Sequence, residues 1–548
     1  MYNSTAKTHS SSKKKVQEEE STITDNFHEY LMNSTLHGLK YIGDKNITIF
    51  ERTFFVLAVI IVSILSGYFI SNVWQKWSET PIIIGLNPLA VPLSAIPFPA
   101  VTICNMNQAR LSKASRVVKG SLEDLLLDSM CGFNKEFMSP NNNTGKWMHF
   151  KQFIESASQP CRDMLVMCRY ASKVEQCMDI FWTSLTDEGL CCTFNTVHPD
   201  FMFHTALSEN KWDVDINNSK GYAIDWTPEE GYPENVPKNA FPRQTAGAGS
   251  NVGLTVALNC NKANYFCSST SSYGFKVLLH TPTETPKINN YGFYVAPGKE
   301  TRVVVTPKIY EASQLIRKIP VQQRQCVFAS ERNLSYFRTY TQKNCEMECE
   351  SMVIAKHCGC ILYYMPKTST EQQICSLKDA ECYESIKTAV KVNASLTCSC
   401  LPACYEIDYG RDSSSSPLGI GYFLTKETTL KKYSYDYVRD NIALLHIFFV
   451  ENSIHSYTKS EFIGFTDFLS STGGLLGLFL GFSVVSLIEI IYYISMRPYC
   501  MKRKQQVQAA PKILPVLEAW TGGSTFRPGG KRNFRRRKIG MHFYPYCE

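Results

Sequence analysis

Two apolar runs set the outline of this chain. Residues 54–74 carry no charge, and residues 468–496 carry a single one, Glu489. Each run is long enough to cross the roughly 30 Å of bilayer hydrocarbon as a helix. The first is not expected to be a cleaved leader, because 53 mostly polar residues precede it and the apolar stretch is too long. Lys40, Lys45 and Arg52 flank it, and Arg497, Lys502, Arg503 and Lys504 follow the second run. The excess of positive charge places both termini in the cytoplasm and the loop between the runs outside.

The second run is unusual for an anchor. At about 1.5 Å per residue its 29 residues make a helix of roughly 43 Å, longer than the hydrocarbon it must cross. It should therefore tilt strongly or break. The expected break is Gly481-Phe482-Ser483, where loosened backbone carbonyls can face a water-filled path. Glu489, a costly carboxylate in lipid, is expected to face an ion route or a partner. The same stretch also reads G-x-x-x-G-x-x-x-G at Gly473, Gly477 and Gly481, a pattern that lets two anchor helices pack closely. Both readings stand on this segment alone.

Cysteine usage agrees with an exterior loop. Nineteen of the 21 cysteines lie between the runs, and only Cys500 and Cys547 fall in the tail. Glycosylation sequons in the loop are Asn142, Asn217, Asn333 and Asn393; those at Asn3, Asn33 and Asn46 would be silent in the cytosol. Residues 495–548 hold 12 Lys/Arg against 2 Asp/Glu. The cluster Lys531, Arg532, Arg535, Arg536, Arg537 and Lys538 suits anionic inner-leaflet lipid, with a solvated tail as the plainer alternative and nucleic acid not expected.

The expected architecture is an α+β membrane protein. Its parts are a cytoplasmic N-terminus (1–53), a first span (54–74), an extracellular domain (75–466), a second span (467–496) and a basic tail (497–548). Strand-like runs at 273–280, 301–306 and 444–450, separated by Pro/Gly/Asn-rich turns, make the exterior β-rich with peripheral helices. Residues 234–252 read as an exposed loop and the first 25 as disordered. No internal repeat is present.

Ten cysteines crowd into residues 326–404. Cys345 and Cys349 sit at i and i+4 of a helix, about 6 Å apart on one face. Cys398 and Cys400, at i and i+2 of an extended segment, are about 6.6 Å apart on one face. The ladders match in pitch, so a helix stapled Cys345 to Cys400 and Cys349 to Cys398 would be a stiff lever. Zinc at Cys358-Gly-Cys360 is the rival reading, weakened by the oxidising exterior and the lack of paired C-x-x-C motifs.

On these residues the chain resembles the degenerin and epithelial sodium channel superfamily, its arthropod pickpocket branch in particular. Five landmarks occur in order: Leu36-His37-Gly38, Phe98-Pro-Ala-Val-Thr-Ile-Cys-Asn105, Cys191-Cys192-Thr-Phe-Asn195, the block from Tyr340 to Cys404, and Gly473-Gly-Leu-Leu-Gly-Leu-Phe-Leu-Gly-Phe-Ser483. The resemblance implies a trimer of like or related subunits forming a sodium-preferring, amiloride-sensitive channel of the plasma membrane. It places the selectivity filter on Gly481, Phe482 and Ser483, the gate on Ser470 beside Asp467, the blocker contact on Gly477, and a cytoplasmic gating pair on His37 and Gly38. Asp467, Ser470, Gly474, Gly477 and Gly481 then share one helix face. From physics alone, His37-Gly38 is a histidine beside a helix-ending glycine.

The resemblance further implies Cys326–Cys404, Cys358–Cys382, Cys360–Cys375, Cys104–Cys191 and Cys168–Cys177. Cys260 with Cys267 and Cys131 with Cys161 are the remaining candidates, which leaves Cys192 as the expected free thiol. Two departures from the family pattern are the bulky Phe482 and the missing tryptophan-glycine pair near Cys326. An extracellular chemical or mechanical stimulus in a sensory setting is the expected input, with Asp379, Glu381 and Glu384 as a candidate proton-sensitive cluster. Other classes in view are a two-span class B scavenger-type lipid receptor, an ATP-gated trimer and a membrane-anchored enzyme. No nucleophile elbow, H-E-x-x-H or paired-carboxylate motif supports the last, and no cofactor or metal is expected.

Overall fold

The computed structural model describes residues 26–132, 147–204, 223–237, 240–367, 372–392, 398–421, 430–501 and 503. Asn142, Asn217, Asn393 and the basic cluster at 531–538 lie outside the described residues. The chain divides into two units, Pro81–Phe462 and the pair of flanking segments Met1–Thr80 with Ile463–Glu548.

Pro81–Phe462 is organised by two sheets, of eight and five strands. The longest strand, Lys299–Ala312, alternates buried and solvent-facing residues with Val303, Val305 and Ile309 inward, the period-2 signature of a sheet with one covered face. It pairs in parallel with Ile442–Phe449 and Ser453–Glu461 and antiparallel with Glu406–Pro417. Ile82–Pro92 closes the edge against Ser453–Glu461, with Ile82 opposite Glu461. In the smaller sheet, Ala100–Asn105 is buried throughout, between Phe275–His280 and Gly189–Phe194.

Two of the sequence landmarks meet in this core. The Phe98 ring, 1% exposed, packs edge-on against Tyr170, Phe194 and Phe449, with centroids 5.4, 6.0 and 5.6 Å away. Asn195 takes a left-handed backbone (φ 65°), which asparagine tolerates. Its side-chain amide donates to the Phe98 carbonyl at 2.6 Å and accepts from the Arg243 N–H at 2.6 Å.

The described residues of 234–252 are not all exposed, because Ala240, Phe241, Pro242 and Thr245 are buried.

The helix Gln342–Cys358 starts on Thr341, whose hydroxyl accepts from Asn344 N–H, and stops at Gly359 with φ 71°. Cys345–Cys400 and Cys349–Cys398 both have Cα atoms 5.9 Å apart. The segment carrying Cys398 and Cys400 is not the expected extended strand. Cys400 N–H donates to Cys398 carbonyl at 2.7 Å, a tight turn that still presents both thiols to the helix. Cys326–Cys404, Cys358–Cys382, Cys360–Cys375, Cys104–Cys191 and Cys168–Cys177 are also bonded.

The leftover cysteines differ from expectation. Cys192 is not free: it bonds Cys161, and Cys131 bonds Cys267. Cys260 is the free cysteine among the described residues, and burial pushes its thiol pKa up to about 12.

In the other unit, Ile49–Glu79 forms one helix of 31 residues, longer at both ends than the uncharged run. Thr48 and Glu51 close its start reciprocally: Glu51 carboxylate accepts from Thr48 N–H at 2.9 Å, and Thr48 hydroxyl accepts from Glu51 N–H. Among the described residues it is the one unbroken helix long and apolar enough to cross a membrane. The second run is two half-helices, Phe465–Leu480 and a following stretch from Val484 to Met501, bent by 73°.

Candidate functional site

The break between the half-helices is built from three residues. Gly481 ends the first half with φ 65°, and its N–H returns to the Gly477 carbonyl at 2.9 Å, the left-handed cap that glycine makes at least strain. Ser483 starts the second half: its hydroxyl accepts from Ser486 N–H, and Ser486 hydroxyl accepts from Ser483 N–H, each at 3.2 Å. Phe482 lies between the two caps. Residues 481–483 thus interrupt the helix in mid-run, as their composition suggests.

One face of the first half-helix is anchored and the other is open. Phe468 stacks on Trp77 at 5.0 Å and meets Trp74 at 5.9 Å, and Phe479 stacks on Phe69 at 5.7 Å. On the opposite side Asp467, Ser470 and Gly474 are exposed, while Gly477 and Gly481 are partly covered. A Cβ added at Gly473 or Gly474 would meet nothing within 4 Å. Those two glycines therefore do no work in packing against the chain's own first span. Asp467 caps its own helix, accepting from Gly464 N–H at 3.3 Å.

The segment before the first span packs against the break, which no local pattern announces. His37 N–H donates to the Leu480 carbonyl at 3.0 Å, supplying a partner for one of the orphan acceptors at the end of the first half-helix. Its ring lies 2.7 Å from where a Cβ on Gly481 would sit. Gly38 has φ 89° and does not end a helix; it precedes the short helix Leu39–Gly43, and a Cβ there would lie 2.8 Å from Val59. Thr35 was not singled out by its sequence, yet its N–H and hydroxyl both donate to Glu489 Oε2, at 3.2 and 2.9 Å. Its Oγ1 also lies 2.8 Å from Ser486 Oγ. Glu489 is thus held by two donors from residue 35. The one signal in the sequence was the polar spacing 483, 486, 489 inside an apolar run.

In the disulfide-rich unit, Asp379 and Glu384 each have a local partner. Asp379 accepts from Ser376 N–H and hydroxyl, both at 2.9 Å, and Glu384 pairs with Lys387 at 3.5 Å. Glu384 also borders a cavity of about 870 Å³ with Asp187, Glu346, Glu350, Lys287 and Tyr364. Burial pushes the Asp187 carboxyl up to about 6, against the opposing pull of the Ile288 and Asn289 N–H groups it accepts from. Asn333 is exposed, as a glycosylation acceptor requires.

Comparison with known protein sequences gives the family. The sequence profile of the family described as amiloride-sensitive sodium channel matches residues 30–493. The chain is 43% identical to pickpocket protein 28 of Drosophila melanogaster over 517 residues, 93% of this chain and 84% of that protein. It is 26% identical to acid-sensing ion channel 1C of Danio rerio over 502 residues, 87% of this chain and 84% of the other. Against the sodium channel protein Nach of Drosophila melanogaster the identity is 24% over 514 residues, 88% and 91% of the two chains. The chain therefore belongs to the amiloride-sensitive sodium channel family, a family of ion channels and not of enzymes.

Proposed function

We propose that this chain is a pore-forming subunit of a sodium-selective, amiloride-blocked cation channel of the plasma membrane. It assembles as a trimer with copies of itself or related subunits, and an extracellular chemical or mechanical stimulus opens it. The observation that carries the reading is the small-residue face Asp467, Ser470, Gly474, Gly477, Gly481, exposed over its first three members and ending at a helix break. Three such faces around an axis would form a narrow path with Ser470 as gate. At Gly481–Ser483, backbone and hydroxyl oxygens would replace part of the sodium hydration shell. Gly477 takes the blocker, the basic tail rests on anionic inner-leaflet lipid, and both termini are cytoplasmic. The stapled helix Gln342–Cys358 acts as the lever that carries the stimulus. The family match speaks against the lipid-receptor and ATP-gated readings.

Ser470→Val tests the proposal in voltage-clamped oocytes. Bulk at an exposed position on the axis should hold the three helices apart and give a standing inward current. That current should vanish when a large organic cation replaces sodium, and amiloride should block it. Abundant surface protein that stays silent alone and beside related subunits would overturn the proposal.

A further inference from the structure

We infer that Glu29 and Arg497 form a latch that positions the segment before the first span on the second half-helix, and so sets the inner end of the ion path. This rests on the channel reading above. The helix 26–33 carries Glu29 and Tyr30. Arg497 Nη2 donates to Glu29 Oε1 at 2.5 Å and Nε to Oε2 at 3.3 Å, a two-pronged contact that fixes orientation as well as distance. Beside it the Tyr30 and Tyr493 rings meet edge-on at 5.4 Å. Two further contacts follow: Thr35 on Ser486 and Glu489, then His37 N–H on Leu480 carbonyl.

The partners Ser486, Glu489, Tyr493 and Arg497 are spaced by three, four and four, so they share one helix face. Residues 29–37 cover that face from the break outward. Thr35 lies in a non-helical stretch, residues 34–36, whose backbone is not held by helix bonds of its own. Its hold on Glu489 therefore depends on anchors at both ends. His37 is one anchor, and the Glu29–Arg497 pair with the tyrosines is the other. A π-turn, Tyr492–Met496, contains Tyr493 and ends just before Arg497; such turns recur at functional sites. Both latch side chains are about one-third exposed, so reversing one charge loosens the segment without threatening the fold. Glu29 and Arg497 are positioning residues, since neither is placed on the ion path.

The test uses the full chain with Glu29→Arg, Arg497→Glu and the double swap. In purified protein, hydrogen exchange of the peptide covering residues 27–38 should quicken by about fivefold in each single variant, because the Thr35 and His37 amides lose protection, and should return in the double swap. On the Ser470→Val background, the sodium-over-potassium permeability ratio should fall by about fivefold in each single variant and recover in the swap. Unchanged exchange in the single variants overturns the latch, whether or not the protein conducts. Quickened exchange with an unchanged permeability ratio overturns its role in the path. Failure of the swap to restore either quantity shows that the charges act separately and not as a pair. A silent Ser470→Val parent beside normal exchange results would count against the channel reading and, with it, the role in the path, while leaving the contact itself intact.

Discussion

Gly481→Ala is expected to reduce current by tenfold or more while the protein still reaches the surface. A left-handed conformation costs a residue with a Cβ about 1–2 kcal/mol, and 1.4 kcal/mol is already tenfold in an equilibrium. The added methyl also lands 2.7 Å from the His37 ring, so the ring must move. Moving it endangers the His37 N–H bond to the Leu480 carbonyl, which would leave a carbonyl at the break unpartnered. The two costs can be separated. Adding His37→Ala removes the collision but not the backbone strain, so the double variant should recover part of the current lost in Gly481→Ala. Currents normalised to surface biotinylation decide the matter; a fully active Gly481→Ala would show that the cap geometry is irrelevant to conduction.

Lys276→Met should have the largest effect on folding. Lys276 and Glu188 are 3% and 2% exposed, and their charged atoms lie 2.5 Å apart. Lys276 projects from the strand Phe275–His280, and Glu188 occupies the turn between Phe181–Thr186 and Gly189–Phe194. Glu188 also accepts from the Ser269 hydroxyl, and Lys276 reaches Asn289 at 3.4 Å. Removing the lysine strands a buried carboxylate, which costs about 3–5 kcal/mol. Against a total stability of about 5–15 kcal/mol this should lower surface protein severalfold. Lys276→Met with Glu188→Leu replaces the pair by apolar volume and should restore much of the loss, because a buried ion pair is weakly stabilising against apolar replacements. Surface biotinylation and thermal unfolding in detergent give the readout. A Lys276→Met protein with normal surface level and unfolding temperature would contradict the burial of the pair.

What the sequence disclosed and what it withheld have physical causes. The helix break at Gly481–Ser483 was legible because a glycine and a helix-starting hydroxyl act locally. The matched pitch of Cys345/Cys349 and Cys398/Cys400 was legible for the same reason, although the second pair reaches it through a turn. Thr35 on Glu489 joins residues 454 positions apart, so no window along the chain contains the contact. The free thiol was misassigned because adjacent cysteines on a strand face opposite sides. Cys191 turns to Cys104 while Cys192 turns to Cys161, so both are used. Cys260 and Cys267 are close in sequence but lie in different apolar clusters, Cys260 in the one that holds Leu258 and Phe275, Cys267 in the one that holds Phe153 and Leu127. Residues 234–252 looked like an exposed loop from their Pro, Gly and Ser content, but Phe241 is buried, against Trp182.

In the proposed channel, one face of Phe465–Leu480 lines the ion path. The most direct test of that lining is a cysteine scan of residues 471–479 on the Ser470→Val background, with a charged thiol reagent applied from outside. Block is expected at Gly474 and Gly477 and none at Leu475 or Leu478, a period of three to four residues. Block at the leucine positions, or equal block at every position, would contradict it.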